Sequence, residues 1–157
     1  MKAALAALFV SLFLLLLGSL LGQFMVPWLA ADVADGAPEV AHLVWPYSIA
    51  GIAGILCFQV AVVAVWKLAS MAVAGTVFTE AALRPATVFI WACVVAAALC
   101  AGVWIHLLVV VGTGGPGALF LLTGAVLVSA TGALLMIVLR GLLRAATSDR
   151  LELESVV

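Results

Sequence analysis

This sequence predicts an all-α integral membrane protein, a four-transmembrane-helix bundle, on three observations. Of its 157 residues, 68% are hydrophobic and 8% charged, whereas soluble domains carry about 45–50% and about 25%. So few polar groups cannot cover the surface of a water-soluble globule. The apolar residues are gathered into four runs free of charge, each long enough to cross a bilayer, and every lysine and arginine lies in alternate segments flanking those runs.

A helix rises about 1.5 Å per residue, so about 20 apolar residues traverse the hydrocarbon core. Residues 3–26 form the first such run, with Gln23 as its amide; residues 46–66 form the second, with Gln59; residues 86–111 form the third, with His106; residues 117–139 form the fourth, with no ionisable group. In lipid each run is expected to be helical, because only a helix satisfies all backbone groups within one segment. The first run is expected to stay in the protein. It exceeds the about 7–15 residues of a signal-peptide core, and Trp28 and Leu29 break the small-x-small pattern before Ala30 and Ala31. Residues 1–157 thus read as one membrane domain.

Charge orients the bundle. Lys2, Lys67, Arg84, Arg140, Arg144 and Arg150 fall in the N-terminus, the second connection (67–85) and the tail (140–157). The first connection (27–45) has no basic residue and carries Asp32, Asp35 and Glu39; the third (112–116) is uncharged. Lysine and arginine collect on the cytoplasmic side, so both termini are expected there. Trp28 and Trp45 bracket the outer loop and Trp66 adjoins Lys67, as amphipathic rings at headgroup level do. Trp91 and Trp104 fit either those belts or the bundle interior. A net charge of −1 offers no electrostatic footprint for direct nucleic-acid binding.

The glycine-rich third connection, Gly112-Thr113-Gly114-Gly115-Pro116-Gly117, is short enough to make helices three and four antiparallel neighbours. It lacks the preceding strand and following Lys-Ser/Thr of a phosphate-binding loop. The second connection is an elbow. Met71 to Ala74 continue helix two, Gly75 ends it, and Thr79 stands where an N-cap would, with Glu80 in the first turn that follows. Pro85 suits an early helical position or a kink. Phe78 suits an anchor at the interface.

At this elbow the run Gly75-Thr76-Val77-Phe78-Thr79-Glu80 resembles the Gly-x-x-Phe-Thr element of a bacterial four-pass membrane family catalogued as domain of unknown function 2975. Val65-Trp66-Lys67-Leu68 and Leu139-Arg140-Gly141-Leu142-Leu143-Arg144 are similar to that family as well, so the resemblance covers nearly the whole chain. It implies four transmembrane helices in a bacterial plasma membrane, and no established activity, cofactor or functional residue. Genes of the family often lie beside one for a small helix-turn-helix DNA-binding protein, which implies a transcription regulator as a cytoplasmic partner.

Several polar or small residues invite a role. Gly18 and Gly22 make a Gly-x-x-x-Gly face on helix one, and Ala125, Ser129 and Ala133 a small stripe on helix four; both suit close helix packing, within the chain or in a homo-oligomer. Gln59 is the deepest amide and requires a partner, with Ser129 or Thr131 expected. His106 is the one ionisable side chain in a span, placed toward the outer end where neutral imidazole costs little. His42 with Asp32, Asp35 and Glu39 reads as a solvated loop rather than a metal site. Cys57, Cys93 and Cys100 sit in apolar runs as an odd set of small hydrophobes, with nothing to activate a thiol.

The tail continues helix four. Leu139, Leu142, Leu143 and Ala146 follow helical spacing, Arg140 and Arg144 stand at the inner headgroups, and fraying is expected at 147–149. Beyond it, Leu151, Leu153 and Val156 are candidate anchors, and Glu152 and Glu154 candidate contacts for a basic partner. With Phe78, Thr79 and Glu80 these residues make up the expected cytoplasmic partner surface. No nucleophile, acid–base pair or metal cluster is visible, so the expectation is a non-enzymatic interaction or regulatory protein without cofactor. A small transporter or channel subunit acting as an oligomer is the alternative.

Overall fold

A computed structural model describes residues 2–36, 38–77, 79–112 and 116–155. Helix α1 runs Lys2–Gly36, α2 Val44–Val73, α3 Leu83–His106 and α4 Pro116–Ser155; short 3-10 turns at Pro38–Leu43 and Glu80–Ala82 lead into α2 and α3. Among the described residues there is no strand. Four stretches are long and apolar enough to cross a membrane: Ala3–Asp32, Ala41–Val73, Glu80–Val110 and Gly117–Ala146.

The helices outrun the apolar cores that nucleate them. The 35 residues of α1 measure about 52 Å, against about 30 Å of hydrocarbon. The sequence places a connection from residue 27, yet α1 passes straight through Pro27. Proline deletes one hydrogen bond, but Leu29, Ala30, Ala31 and Ala34 after it are strong helix formers, and no breaker follows before Gly36. The tail behaves likewise: fraying expected at 147–149 does not occur, and α4 stays helical to Ser155.

The helices pack in chain order, α1 on α2, α2 on α3 and α3 on α4. Each pair is antiparallel, as the contacts reveal. Phe9 stacks on Trp66 and Gly51 lies against Val26 across the first seam; Tyr47 meets His106 across the second; Gly132 lies over Phe89 and Cys93 across the third. Antiparallel order returns the start of α1, the elbow and the extension of α4 to one face of the bundle.

The distribution of side chains is that of a protein solvated by lipid. Phe24, Trp28, Phe120 and Leu121 are each more than three-quarters exposed, whereas the buried positions are mostly small: Ala61, Val62, Ala64, Ala82, Ala86, Ala92, Cys93 and Ala133. Lipid tails are as apolar as leucine, so burial of large groups drives nothing here. Association comes from close packing, which small residues permit.

The turns at the two faces of the bundle close in different ways. Gly75 adopts φ +71°; its N–H donates to the Ala72 carbonyl at 3.2 Å and that of Thr76 to the Met71 carbonyl at 2.9 Å, the glycine stop in its Schellman form. Thr79 is extended, as an N-cap should be, but makes no side-chain cap. Its Oγ1 instead donates to the Thr76 carbonyl at 2.7 Å, and Thr76 Oγ1 donates to Met71 at 3.3 Å. The two threonines therefore strap the elbow to the end of α2. At the other face α3 widens into a π-helical turn, Leu107–Val111. Gly112, at φ +65°, closes it by donating to the Leu107 carbonyl at 3.1 Å.

Candidate functional site

Two polar clusters, around Gln59 and around His106, and a groove lie within the described spans. Gln59 is half-buried on α2, and its Nε2 donates to Ser19 Oγ at 3.2 Å and to Gln23 Oε1 at 3.3 Å, both on α1. Ser19 donates onward to the Leu16 carbonyl at 2.8 Å. The expected partners, Ser129 and Thr131, belong to α4, which packs on α3 rather than on α2. Helix order, invisible in the spacing of polar residues, decides the pairing. The amide therefore ties α1 to α2. Interhelical hydrogen bonds in membranes average about 0.6 kcal/mol, so Gln59→Leu is expected to destabilise by about 1 kcal/mol. Gln59→Leu combined with Gln23→Leu should cost less than the two singles together, because the single change strands the Gln23 carbonyl. Denaturant titration in detergent micelles checks this; strict additivity would refute the tether.

His106 has a partner that sequence reasoning missed. Tyr47 Oη lies 2.8 Å from His106 Nδ1, which of the two donates depending on the tautomer, and the rings meet edge to face with centroids 5.9 Å apart. The signal existed: an elbow joining α2 to α3 sets the start of one opposite the end of the other, where the chain's one tyrosine stands. At the same end of the bundle, Ser48 Oγ and Trp104 Nε1 are buried without a hydrogen-bond partner. A buried polar group lacking a partner is costly and uncommon.

The groove has a volume of about 770 Å³ and is walled by all four helices. It exists because α1 and α4, among the described residues, do not pack together as the sequential pairs do, leaving the fourth seam of the bundle unsealed. Its lining is small and apolar, including Gly54, Ala61, Ala96, Ala125 and Gly132, with hydroxyls only from Ser19, Tyr47 and Ser129.

The sequence-derived candidates divide accordingly. Gly22 lines the groove and a Cβ there would meet Ile55 at 4.0 Å, while a Cβ on Gly18 would meet nothing within 4 Å. The close approach between α1 and α2 is made instead at Gly51, where a Cβ would stand 3.1 Å from Val26 Cγ1. Ala125 and Ser129 line the groove and Ala133 is buried, so the α4 stripe faces inward. Thr79, Glu80, Arg84, Arg140 and Arg144 are exposed on the face that carries the elbow. Phe78, Thr113 to Gly115 and Val156 lie outside the described residues, as do the side chains of Asp35, Glu39, Leu151, Glu152, Leu153 and Glu154; for the last four the structure gives backbone helix alone. His42 and Asp32 are exposed. Among the described residues no three His, Cys, Asp or Glu side chains gather as metal ligands, and the three cysteines are free thiols.

Apolar helices of spanning length, small residues inside and large ones outside define a multi-pass helical membrane protein. The family described as protein of unknown function (DUF2975) matches residues 28–157, and the chain belongs to it. The match begins at Trp28, so most of α1 lies before it, and it contains all three motifs, at 65–68, 75–80 and 139–144. No curated protein and no solved structure matches the chain.

Proposed function

We propose that the chain is a non-enzymatic regulatory protein of a bacterial plasma membrane, with both termini in the cytoplasm, that binds a cytoplasmic partner through the extension of α4 and the elbow. The observation that carries this reading is the length of α4. Residues 147–155 continue the helix past the fourth candidate span, Gly117–Ala146, by about 13 Å. A helix that only crosses the membrane has no use for such a stem. Its last turns carry Leu151, Glu152, Leu153 and Glu154, an acidic and aliphatic combination suited to a basic protein. A small helix-turn-helix transcription regulator has that chemistry. Exposed Arg140 and Arg144 fit anchorage at anionic headgroups, leaving the distal turns free to dock. The apolar groove favours this reading over an oligomeric transporter, since three hydroxyls give an ion no continuous coordination.

Affinity capture from native membranes tests the proposal, using the intact chain, a chain lacking residues 144–157, and one with Thr79→Ala and Glu80→Ala. A DNA-binding protein should co-purify with the intact chain, be lost with the tail, and be weakened by the elbow changes. Identical captures from all three would overturn the assignment.

A further inference from the structure

We propose that the groove between the four helices is a binding site for one uncharged long-chain lipid, a hydrocarbon chain with a small hydroxyl or carbonyl head, entering from the bilayer between α1 and α4. Shape selects the occupant. Tyr47 and Val65 both line the groove and stand 18 residues apart on α2, so it extends about 27 Å. Its volume, about 770 Å³, lies within the about 300–1,000 Å³ of small-molecule sites.

The walls are built to leave this space. In membrane bundles small residues ordinarily draw two backbones together. Here Gly54 lines the groove with nothing within 4 Å of where its Cβ would be, so the missing side chain opens room for something other than protein. No Lys, Arg, Asp or Glu lines the groove, so a charged headgroup would find no counter-charge and would lose its hydration. That excludes a fatty acid carboxylate seated within it.

The polar end is defined by Tyr47. Its hydroxyl has one donor and two acceptor positions, of which His106 takes one, so a hydroxyl or carbonyl head has a partner there.

Photolabelling of the full chain in phosphatidylcholine bilayers tests the site. The probe is hexadecan-1-ol bearing a mid-chain diazirine, with the corresponding diazirine hexadecanoic acid as charged comparator. Peptide mapping should place the alcohol's label on groove residues of α2 and α3, competed by plain hexadecan-1-ol, with the acid labelling the groove about tenfold less. Gly54→Leu, whose Cβ would meet nothing within 4 Å and whose remaining side chain would occupy the groove, should abolish groove labelling while leaving the outward residues of α4 labelled and the chain folded, as its circular dichroism reads. Tyr47→Phe should remove the preference for the alcohol over a diazirine alkane. Label spread evenly over lipid-facing residues without competition would overturn the proposal. So would an unlabelled groove, or a Gly54→Leu variant labelled like the parent.

Discussion

Gly51→Ile should loosen α1 from the rest of the bundle, with a stability loss of about 2 kcal/mol. Three contacts lie along the α1–α2 seam in one antiparallel register. Phe9 packs on Trp66 with centroids 5.2 Å apart near the elbow face, Gln59 reaches Ser19 and Gln23 in the middle, and Gly51 meets Val26 toward the other face. The last is the tightest, since an added Cβ would already stand 3.1 Å from a valine methyl. A longer unbranched side chain could swing into the adjoining groove. Isoleucine cannot, because branching at Cβ confines it to essentially one rotamer in a helix. Backbone separation is the remaining relief, and α1 has little to hold it elsewhere, because among the described residues α2 is the only spanning helix on which it packs extensively.

The expected result is a thermal midpoint lowered by about 5 °C, following the usual scaling for chains of this size. Gly51→Ala should cost much less, since a valine methyl gives way by tenths of an ångström. Val26→Ala, placed behind Gly51→Ile, should restore part of the loss, and the non-additivity of that cycle reports the contact itself. Gly51→Ile with the midpoint of the parent would mean that α1 and α2 are not joined as the structure has them.

How much of this was legible beforehand follows from which physics each feature obeys. The four spans, the glycine stop at Gly75 and the inward stripe of α4 follow from local rules: length against bilayer thickness, φ preference and residue size. They can be read from a single strand of sequence. The lengths of the helices beyond the spans were less visible, because Pro27 looks like a boundary until the alanines after it are weighed. Thr79 was legible as a position and not as a role: the residue stands at the N-cap, yet its hydroxyl points back to Thr76. Partner choice was the least accessible. Gln59 pairs with Ser19 and Gln23 rather than Ser129, and His106 with Tyr47, because those outcomes depend on which helices are neighbours. The groove follows from the same arrangement, since it exists through a packing that α1 and α4 do not make, and no residue type announces that.

Inversion of the basic residues should redirect the whole chain, the largest change expected of any set of substitutions here. Lys67 and Arg84 flank the elbow and are exposed, and Asp32 is exposed near the other end of α1. Short loops orient a multi-pass chain through their lysines and arginines, while acidic residues contribute little. Lys67→Glu with Arg84→Glu therefore removes both basic residues of the elbow, and Asp32→Lys with Glu39→Lys supplies two to the opposite connection. Arg140, Arg144 and Arg150 remain on the tail and still favour the original side, so the quadruple variant should give a mixed population rather than a clean inversion. Adding Arg140→Glu and Arg144→Glu should complete it. A fluorescent protein that folds only in the cytoplasm, fused after residue 157, should be bright on the parent chain, dimmer on the quadruple variant and dark on the sextuple one. Alkaline phosphatase, active only outside, should give the reverse order. A parent chain dark with the first reporter and active with the second would place both termini outside. The elbow and the α4 extension would then be beyond reach of any transcription regulator. A sextuple variant as bright as its parent would mean that packing, rather than charge, decides which face of this bundle meets the cytoplasm.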